Sequence, residues 1–183
     1  MMANYRKIFI AALLLLSTLA FAQKRDPLTD AETDQLRQVA MEPQKRLQLY
    51  IKFSEARIEA IDQARSDPRQ AEGRGRKIHD LLQDFASLID EINDNLDQYE
   101  GRPMDKDQMK DFHKGVKEVV SAEERFRARL RTLQHQIETD PQTKIESKDY
   151  AFALQDAEDA LKSSLEMAQE YSKEKKDEKD KHR

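Results

Sequence analysis

The chain has 183 residues, of which 37% are charged, with 32 Lys and Arg against 36 Asp and Glu and a net charge of −4. It contains no cysteine, which excludes a disulfide framework, thiol catalysis, an iron–sulfur cluster and covalent haem attachment. The dense mixture of both signs of charge is typical of a solvated helical surface and argues against a nucleic-acid partner.

Residues 1–22 have the organisation of a secretory signal peptide. Arg6 and Lys7 give a positive start before an apolar run over 8–19, and an A-x-A cleavage signature ends at Ala22. The apolar run is shorter than the ~20 residues of a membrane span, and no cysteine follows it to carry a lipid. The sequence therefore predicts an exported protein, periplasmic or extracellular, with no transmembrane anchor after cleavage.

Residues 23–42 are predicted to form an N-terminal segment with one short helix over about 30–41. Thr29, followed three residues later by Glu32, has the spacing of a capping box. Pro43 ends this segment and takes the first position of the next helix, where proline is tolerated.

Four long helices are predicted after this segment. They run over about 43–65, 76–99, 105–139 and 147–175. Asp-Pro dipeptides end the first and the third of them, and a glycine followed by a proline ends the second. The final residues, 173–183, are almost wholly charged and are predicted to be a disordered tail, which leaves 43–172 as the helical domain.

Apolar residues in these helices recur in alternating steps of three and four. The stripe of the second long helix consists of Ile78, Leu82, Phe85, Ile89, Ile92, Leu96 and Tyr99. Such stripes pack antiparallel helices around a shared core. We therefore predict an all-α fold, an up-down-up-down antiparallel four-helix bundle with an extra short N-terminal helix, in which consecutive helices are neighbours. An elongated coiled coil that completes its core by dimerising is the alternative.

No motif for catalysis, a cofactor or a metal is found in the sequence. The di-iron pattern Glu-x-x-His, the zinc pattern H-E-x-x-H, the nucleophile pattern G-x-S-x-G and a glycine-rich phosphate loop are all missing. His135 and Glu138 are spaced as a weak metal pair, but a solvated histidine near a helix C-terminus is the simpler interpretation. The protein is predicted to be non-enzymatic, with no cofactor and no metal.

The first long helix has a second apolar face, opposite its core stripe. This face and an off-stripe position of the last helix give the candidate contact residues Leu49, Phe53, Ala56, Ala60 and Phe152. Either the short N-terminal helix covers the face with Leu36, Val39 and Met41, or the face is exposed to a partner. An exposed face predicts protein–protein contacts in the cell envelope, structural or chaperone-like, with another protein or with a second copy.

Charges of opposite sign gather at the two ends of the predicted bundle. Arg74, Arg76 and Arg129 are candidates for binding a small anion such as a phosphate or a lipid headgroup. A solvated face crossed by weak ion pairs is the other interpretation. Acidic residues, among them Asp94 and Asp97, gather at the opposite end, near a helix C-terminus where negative charge is unfavourable. Either a bound cation or the lysines of the following helix would neutralise them. A module that binds a small anion or cation is therefore the alternative function.

Glu123 occupies a step of the apolar stripe of the third long helix. A charge inside a bundle usually has a partner such as an arginine, whereas a charge at the edge of a stripe reaches water. Glu123 is therefore the position where the sequence points to a hidden polar site.

Overall fold

A computed structural model of the chain describes residues 25–100 and 102–181, with side chains at all of these except 70, 100 and 173–181. The described part is helical and contains no strand, which confirms the predicted all-α class. The predicted signal peptide, residues 1–22, lies outside the described residues. None of the described helices combines the length and the apolarity that a membrane span requires.

Six α-helices follow one another in the described part. They are α1 (Asp30–Gln38), α2 (Pro43–Ser66), α3 (Arg74–Glu100), α4 (Lys106–Thr139), α5 (Pro141–Glu146) and α6 (Ala151–Lys181). The capping box predicted at the start of α1 is confirmed, because the Thr29 hydroxyl accepts from the Glu32 amide while the Glu32 carboxylate accepts from the Thr29 amide. Pro43 occupies the first turn of α2, as its position in the sequence predicts.

The last predicted helix differs from the observed one at both ends. Asp140 caps a new helix as soon as α4 ends, since its side chain accepts a hydrogen bond from the Thr143 amide, and α5 therefore precedes α6. At the other end α6 continues to Lys181, so residues 173–181, which the sequence assigns to a disordered tail, are helical. Their many lysines and glutamates are good helix formers, which accounts for the difference.

The four long helices pack in a closed ring, with α2 and α6 each lying against both α3 and α4. Arg46 of α2 donates to Asn95 of α3 over 2.9 Å, and Tyr50, one turn later, donates to Glu91 of α3 over 3.2 Å. From the first pair to the second, the residue number rises in α2 and falls in α3, so the two helices are antiparallel. The same reasoning makes α4 and α6 antiparallel, from Glu123 with Ser164 and from Gln134 with Glu158.

The helices α2 and α4 run in the same direction, as contacts at two levels show. Gln48 of α2 donates to Glu118 of α4 over 2.8 Å, and Asp62, further along α2, pairs with Arg129, further along α4. Gly115 of α4 allows this close approach, because a Cβ there would lie 2.9 Å from the Leu47 side chain of α2.

The prediction that consecutive helices are all neighbours is wrong for α3 and α4. These two helices lie on opposite sides of the ring and meet across the core, where the rings of Phe85 and Phe126 pack edge to face with centroids 5.5 Å apart. Residues 102–105, which lie between the two helices, make the crossing. Even a short link can cross the core rather than turn to the nearest side, because each residue of an extended chain advances about 3.3–3.6 Å.

The apolar stripe predicted for α3 is confirmed as core. All seven of its residues are buried, and the stripe of α4 is buried with it from Phe112 to Leu133. The core of the four long helices is therefore completed within one chain.

Candidate contact surfaces and a buried carboxyl

The contact surface predicted on α2 is not an open face. Phe53 is only 3% exposed, and Leu49 and Ala60 are half-buried, so Ala56 is the one residue of the four that is exposed. The N-terminal segment packs against α2 and buries Leu36, which supports the interpretation that α1 covers this face. Of the two other residues predicted to form the cover, Val39 is half-buried, but Met41 points into solvent.

Arg57 of α2 holds the covering segment, which we call the N-terminal strap (residues 25–38). Its guanidinium donates to both carboxylate oxygens of Glu32 over 2.7 Å and to the carbonyl oxygen of Pro27 over 2.6 Å. Burial raises the pKa of Glu32, but the hydrogen bonds from Arg57 and Thr29 outweigh it and leave the pKa below its ordinary value. Glu32 is therefore ionised, and the pair is a two-pronged, charge-assisted clamp.

A second ion pair fixes the beginning of the strap to α3. Arg25 contacts Asp80 over 3.3 Å and Asp84 over 3.2 Å. The Asp84 side chain is buried, and this burial raises its pKa in spite of the nearby Arg25 and Arg57. Asp84 could not be recognised from the sequence alone, because its partners Arg25 and Arg57 come from distant parts of the chain.

Phe152 is exposed, as the contact hypothesis requires, and it belongs to a pattern that the sequence did not reveal. The large hydrophobic side chains exposed in the described part are Met41 (84%), Met109 (38%), Ile145 (61%) and Phe152 (81%). Met41 precedes α2 and Met109 lies in the first turn of α4, and these parallel helices begin at the same end. Ile145 and Phe152 lie where α4 has ended and α6 begins, at the other end. We call the end that carries Met41 and Met109 the Met41 end, and the end that carries Ile145 and Phe152 the Phe152 end.

Two of the three arginines predicted to bind an anion are engaged in separate ion pairs. Arg74 donates to Glu146 over 3.1 Å and to the carbonyl oxygen of Asp67 over 3.1 Å, whereas Arg129 pairs with Asp62. Arg76 is exposed. Since two of the three cations are engaged with different carboxylates, the geometry favours a surface crossed by ion pairs.

His135 and Glu138 are both exposed, and the described residues contain no cluster of three or more side chains arranged to hold a metal ion. At the acidic end, Asp97 accepts a hydrogen bond from the Tyr171 hydroxyl over 3.0 Å.

Glu123 is the least expected polar group of the core, because it is 0% exposed. One carboxyl oxygen accepts a hydrogen bond from the Ser164 hydroxyl of α6, and the other, Oε2, has no partner among the described residues. The arginine that a buried charge usually attracts does not contact it in the described part of the chain. Burial therefore raises the pKa of Glu123 to about 8, against a smaller lowering by the Ser164 hydrogen bond.

Ser54 of α2 lies at the same level as Glu123. In α2, Ser54 lies two helical turns after Leu47 on the same face. Leu47 packs against Gly115 of α4, and Glu123 lies about two turns after Gly115. Because α2 and α4 are parallel, these equal steps bring Ser54 and Glu123 to the same level. Ser54 is fully buried, and its hydroxyl has no hydrogen-bond partner among the described residues. We call Ser54, Glu123 and Ser164 the central polar layer. Two features of the sequence point to this layer, namely Glu123 on the apolar stripe of α4 and Ser54 between Ile51 and Ile58 of α2.

Comparison of the chain with known protein families, with curated proteins and with solved structures gave no match. What the protein does is therefore inferred from its own residues.

Proposed function

We propose that the protein is an exported, non-enzymatic four-helix bundle that works through protein–protein contacts made by its two ends. The observation that carries this proposal is the placement of the exposed hydrophobic side chains, which lie in pairs at the Met41 end and the Phe152 end. Full burial of one such side chain is worth about 1.5–3 kcal/mol, so each pair is a source of binding energy.

An up-down-up-down bundle is the arrangement that best fits the helix directions. Two antiparallel pairs, α2 with α3 and α4 with α6, lie side by side, with α2 parallel to α4. The burial of the stripe residues within one chain favours this bundle over a coiled coil that completes its core by dimerising. Its ends are then the surfaces left for contacts.

Each apolar pair has charged neighbours, as a protein contact surface requires. Lys144 and Lys148 flank Ile145, and Asp107 and Lys110 flank Met109, all of them exposed. An apolar centre within a polar rim is the usual composition of a protein–protein interface. The partner is an envelope protein or a second copy of the chain, in a structural or chaperone-like role. The small-ion alternative has no comparable support, since Arg74 and Arg129 already bind carboxylates.

Site-specific photo-crosslinking in the producing cells tests this proposal. A photoreactive phenylalanine analogue is placed at Phe152 or at Met41, and, as a matched control, at Ser163, which is exposed on the side of α6. We expect discrete crosslinked products from both end positions and none from the control. The Phe152 product should disappear when Ile145 is replaced by Asp in the same chain.

Two results would contradict the proposal. Equal products from all three positions would show random collisions, and no product from either end would show that the ends make no stable contact. In both cases circular dichroism must first show that the labelled chains are folded.

A further inference from the structure

We propose that the central polar layer is a proton-binding site, and that the helices are held together most tightly when this site carries its proton. The inference does not depend on the contacts proposed for the two ends. It starts from a carboxyl group that is fully buried in the core of the long helices and that no cation among the described residues neutralises.

The surroundings of Glu123 favour a neutral carboxyl. The Ser164 hydroxyl of α6 donates to one carboxyl oxygen, and the Ser54 hydroxyl of α2 is buried at the same level without a hydrogen bond to Glu123 in the described structure. From α3, the apolar and fully buried Leu88 lies one turn after Phe85, which packs on Phe126 of α4, one turn after Glu123. Arg127, one turn further along α4, is exposed and makes no ion pair with Glu123 in the described structure. An ionised carboxylate here would leave Oε2 as a buried acceptor without a donor, which costs far more than burying the neutral acid.

The Ser54 hydroxyl does not decide the ionisation of Glu123. Neither this hydroxyl nor Oε2 has a hydrogen-bond partner in the described structure, so the two are not bonded to each other. A hydroxyl can donate to a carboxylate as well as to a neutral carboxyl, so a bond from Ser54 would not require the proton. The proton is held because burial penalises the charged form of Glu123, and the single hydrogen bond from Ser164 offsets only part of that cost.

The direction of the pH effect follows from the proton count of the two states. The pKa of Glu123 is about 8 in the folded protein, and its ordinary value, which applies to the unfolded chain, is 4.5. Between these values the folded state holds a proton that the unfolded state has lost, so rising pH favours unfolding. The ratio of folded to unfolded protein should fall by up to tenfold per pH unit across this window and level off above about pH 8.

The experiment compares the urea unfolding of the natural chain and of Glu123→Gln between pH 5 and pH 9. Glutamine has a similar shape and stays neutral, so the unfolding equilibrium of this variant should lack the Glu123 contribution to the slope. The matched control is Glu124→Gln, at the exposed neighbouring position, which should keep the natural slope. Other carboxyl groups titrate alike in all three proteins, and their effects cancel in the differences. Parallel curves for the natural chain and Glu123→Gln would overturn the proposal.

A direct titration of the Glu123 carboxyl tests the proposal even if Glu123→Gln does not fold. In protein labelled with carbon-13 at the glutamate carboxyl carbons, nuclear magnetic resonance should show one carboxyl that titrates near pH 8. Replacing Ser164 by Ala removes the hydrogen bond that lowers this pKa, and should move the same signal to a still higher pH. If every glutamate signal titrates below pH 6, the layer binds no proton in the neutral range and the proposal is wrong.

Discussion

Replacing Phe85 by alanine is expected to destabilise the protein by about 3–5 kcal/mol. Phe85 is fully buried on α3, and its ring packs edge to face on Phe126 of α4 across the centre of the core. The substitution removes buried apolar surface, leaves a cavity between helices that have no side-by-side contact to close it, and breaks an aromatic pair worth about 0.5–1.5 kcal/mol. Since the total stability of a domain is about 5–15 kcal/mol, this loss is a large part of it.

Urea unfolding followed by the helical circular dichroism signal measures this effect, since the chain has no tryptophan to report by fluorescence. Phe152→Ala is the matched control, because it removes the same atoms from an exposed position and should change the stability by less than about 0.5 kcal/mol. Similar losses in the two variants would mean that Phe152 is packed rather than exposed, or that Phe85 is not a core residue.

The buried residues of the long helices are the part of the fold that the sequence predicts best. A stripe with steps of three and four requires only that a helix has one apolar side, and every member of the α3 stripe, from Ile78 to Tyr99, is buried. Local signals were equally reliable at Thr29 and Pro43, where the capping box and the first-turn proline depend on neighbouring residues alone.

The choice of neighbours could not be predicted in the same way. The stripes of α3 and α4 are so similar that either helix can pack beside any other, and the pattern does not distinguish a link that turns from one that crosses the core. The crossing of residues 102–105 is set by the whole ring of contacts, to which Gly115 adds a close approach of α2 to α4.

The candidate sites show the same division between local and tertiary information. Phe53 and Phe152 both lie off the main stripes, but Phe53 is buried, on a helix against which the N-terminal helix packs, whereas Phe152 is exposed. Glu123 could be recognised because one charge on an apolar stripe is conspicuous. Its surroundings could not be predicted, because Ser54 and Ser164 are 69 and 41 residues away and become relevant only in the folded layer.

Replacing Arg57 by alanine is expected to release the N-terminal strap while the four long helices stay folded. The substitution removes two hydrogen bonds to Glu32 and one to the Pro27 carbonyl, and hydrogen bonds to charged groups are worth about 1.5–3 kcal/mol each. The Arg25 ion pair with Asp80 and Asp84 holds only the beginning of the strap, before α1, and α1 itself has 9 residues and buries one, Leu36. A helix shorter than about 12 residues is not stable alone, so α1 should unfold once it is detached.

Hydrogen–deuterium exchange, read by mass spectrometry, separates this local event from global unfolding. Amides of α1 should exchange on the order of 30–100-fold faster in Arg57→Ala, while those of α3 keep their natural rates. Arg69→Ala, which removes an exposed arginine paired with its neighbour Asp67, is the control and should leave α1 protected. Faster exchange in α1 and α3 together would show instead that the strap and the core unfold as one unit.

Acid should release the strap of the natural chain in the same way. Because the pKa of Glu32 lies below its ordinary value, the stabilisation from the Arg57–Glu32 clamp is complete above pH 4.5 and is lost as the pH falls through the lower, folded-state value. Release of the strap, whether by Arg57→Ala or by low pH, is expected to uncover Phe53 beside the already exposed Ala56. A fluorescent dye that binds apolar surface should therefore bind the Arg57→Ala variant at neutral pH, and should not bind Arg69→Ala.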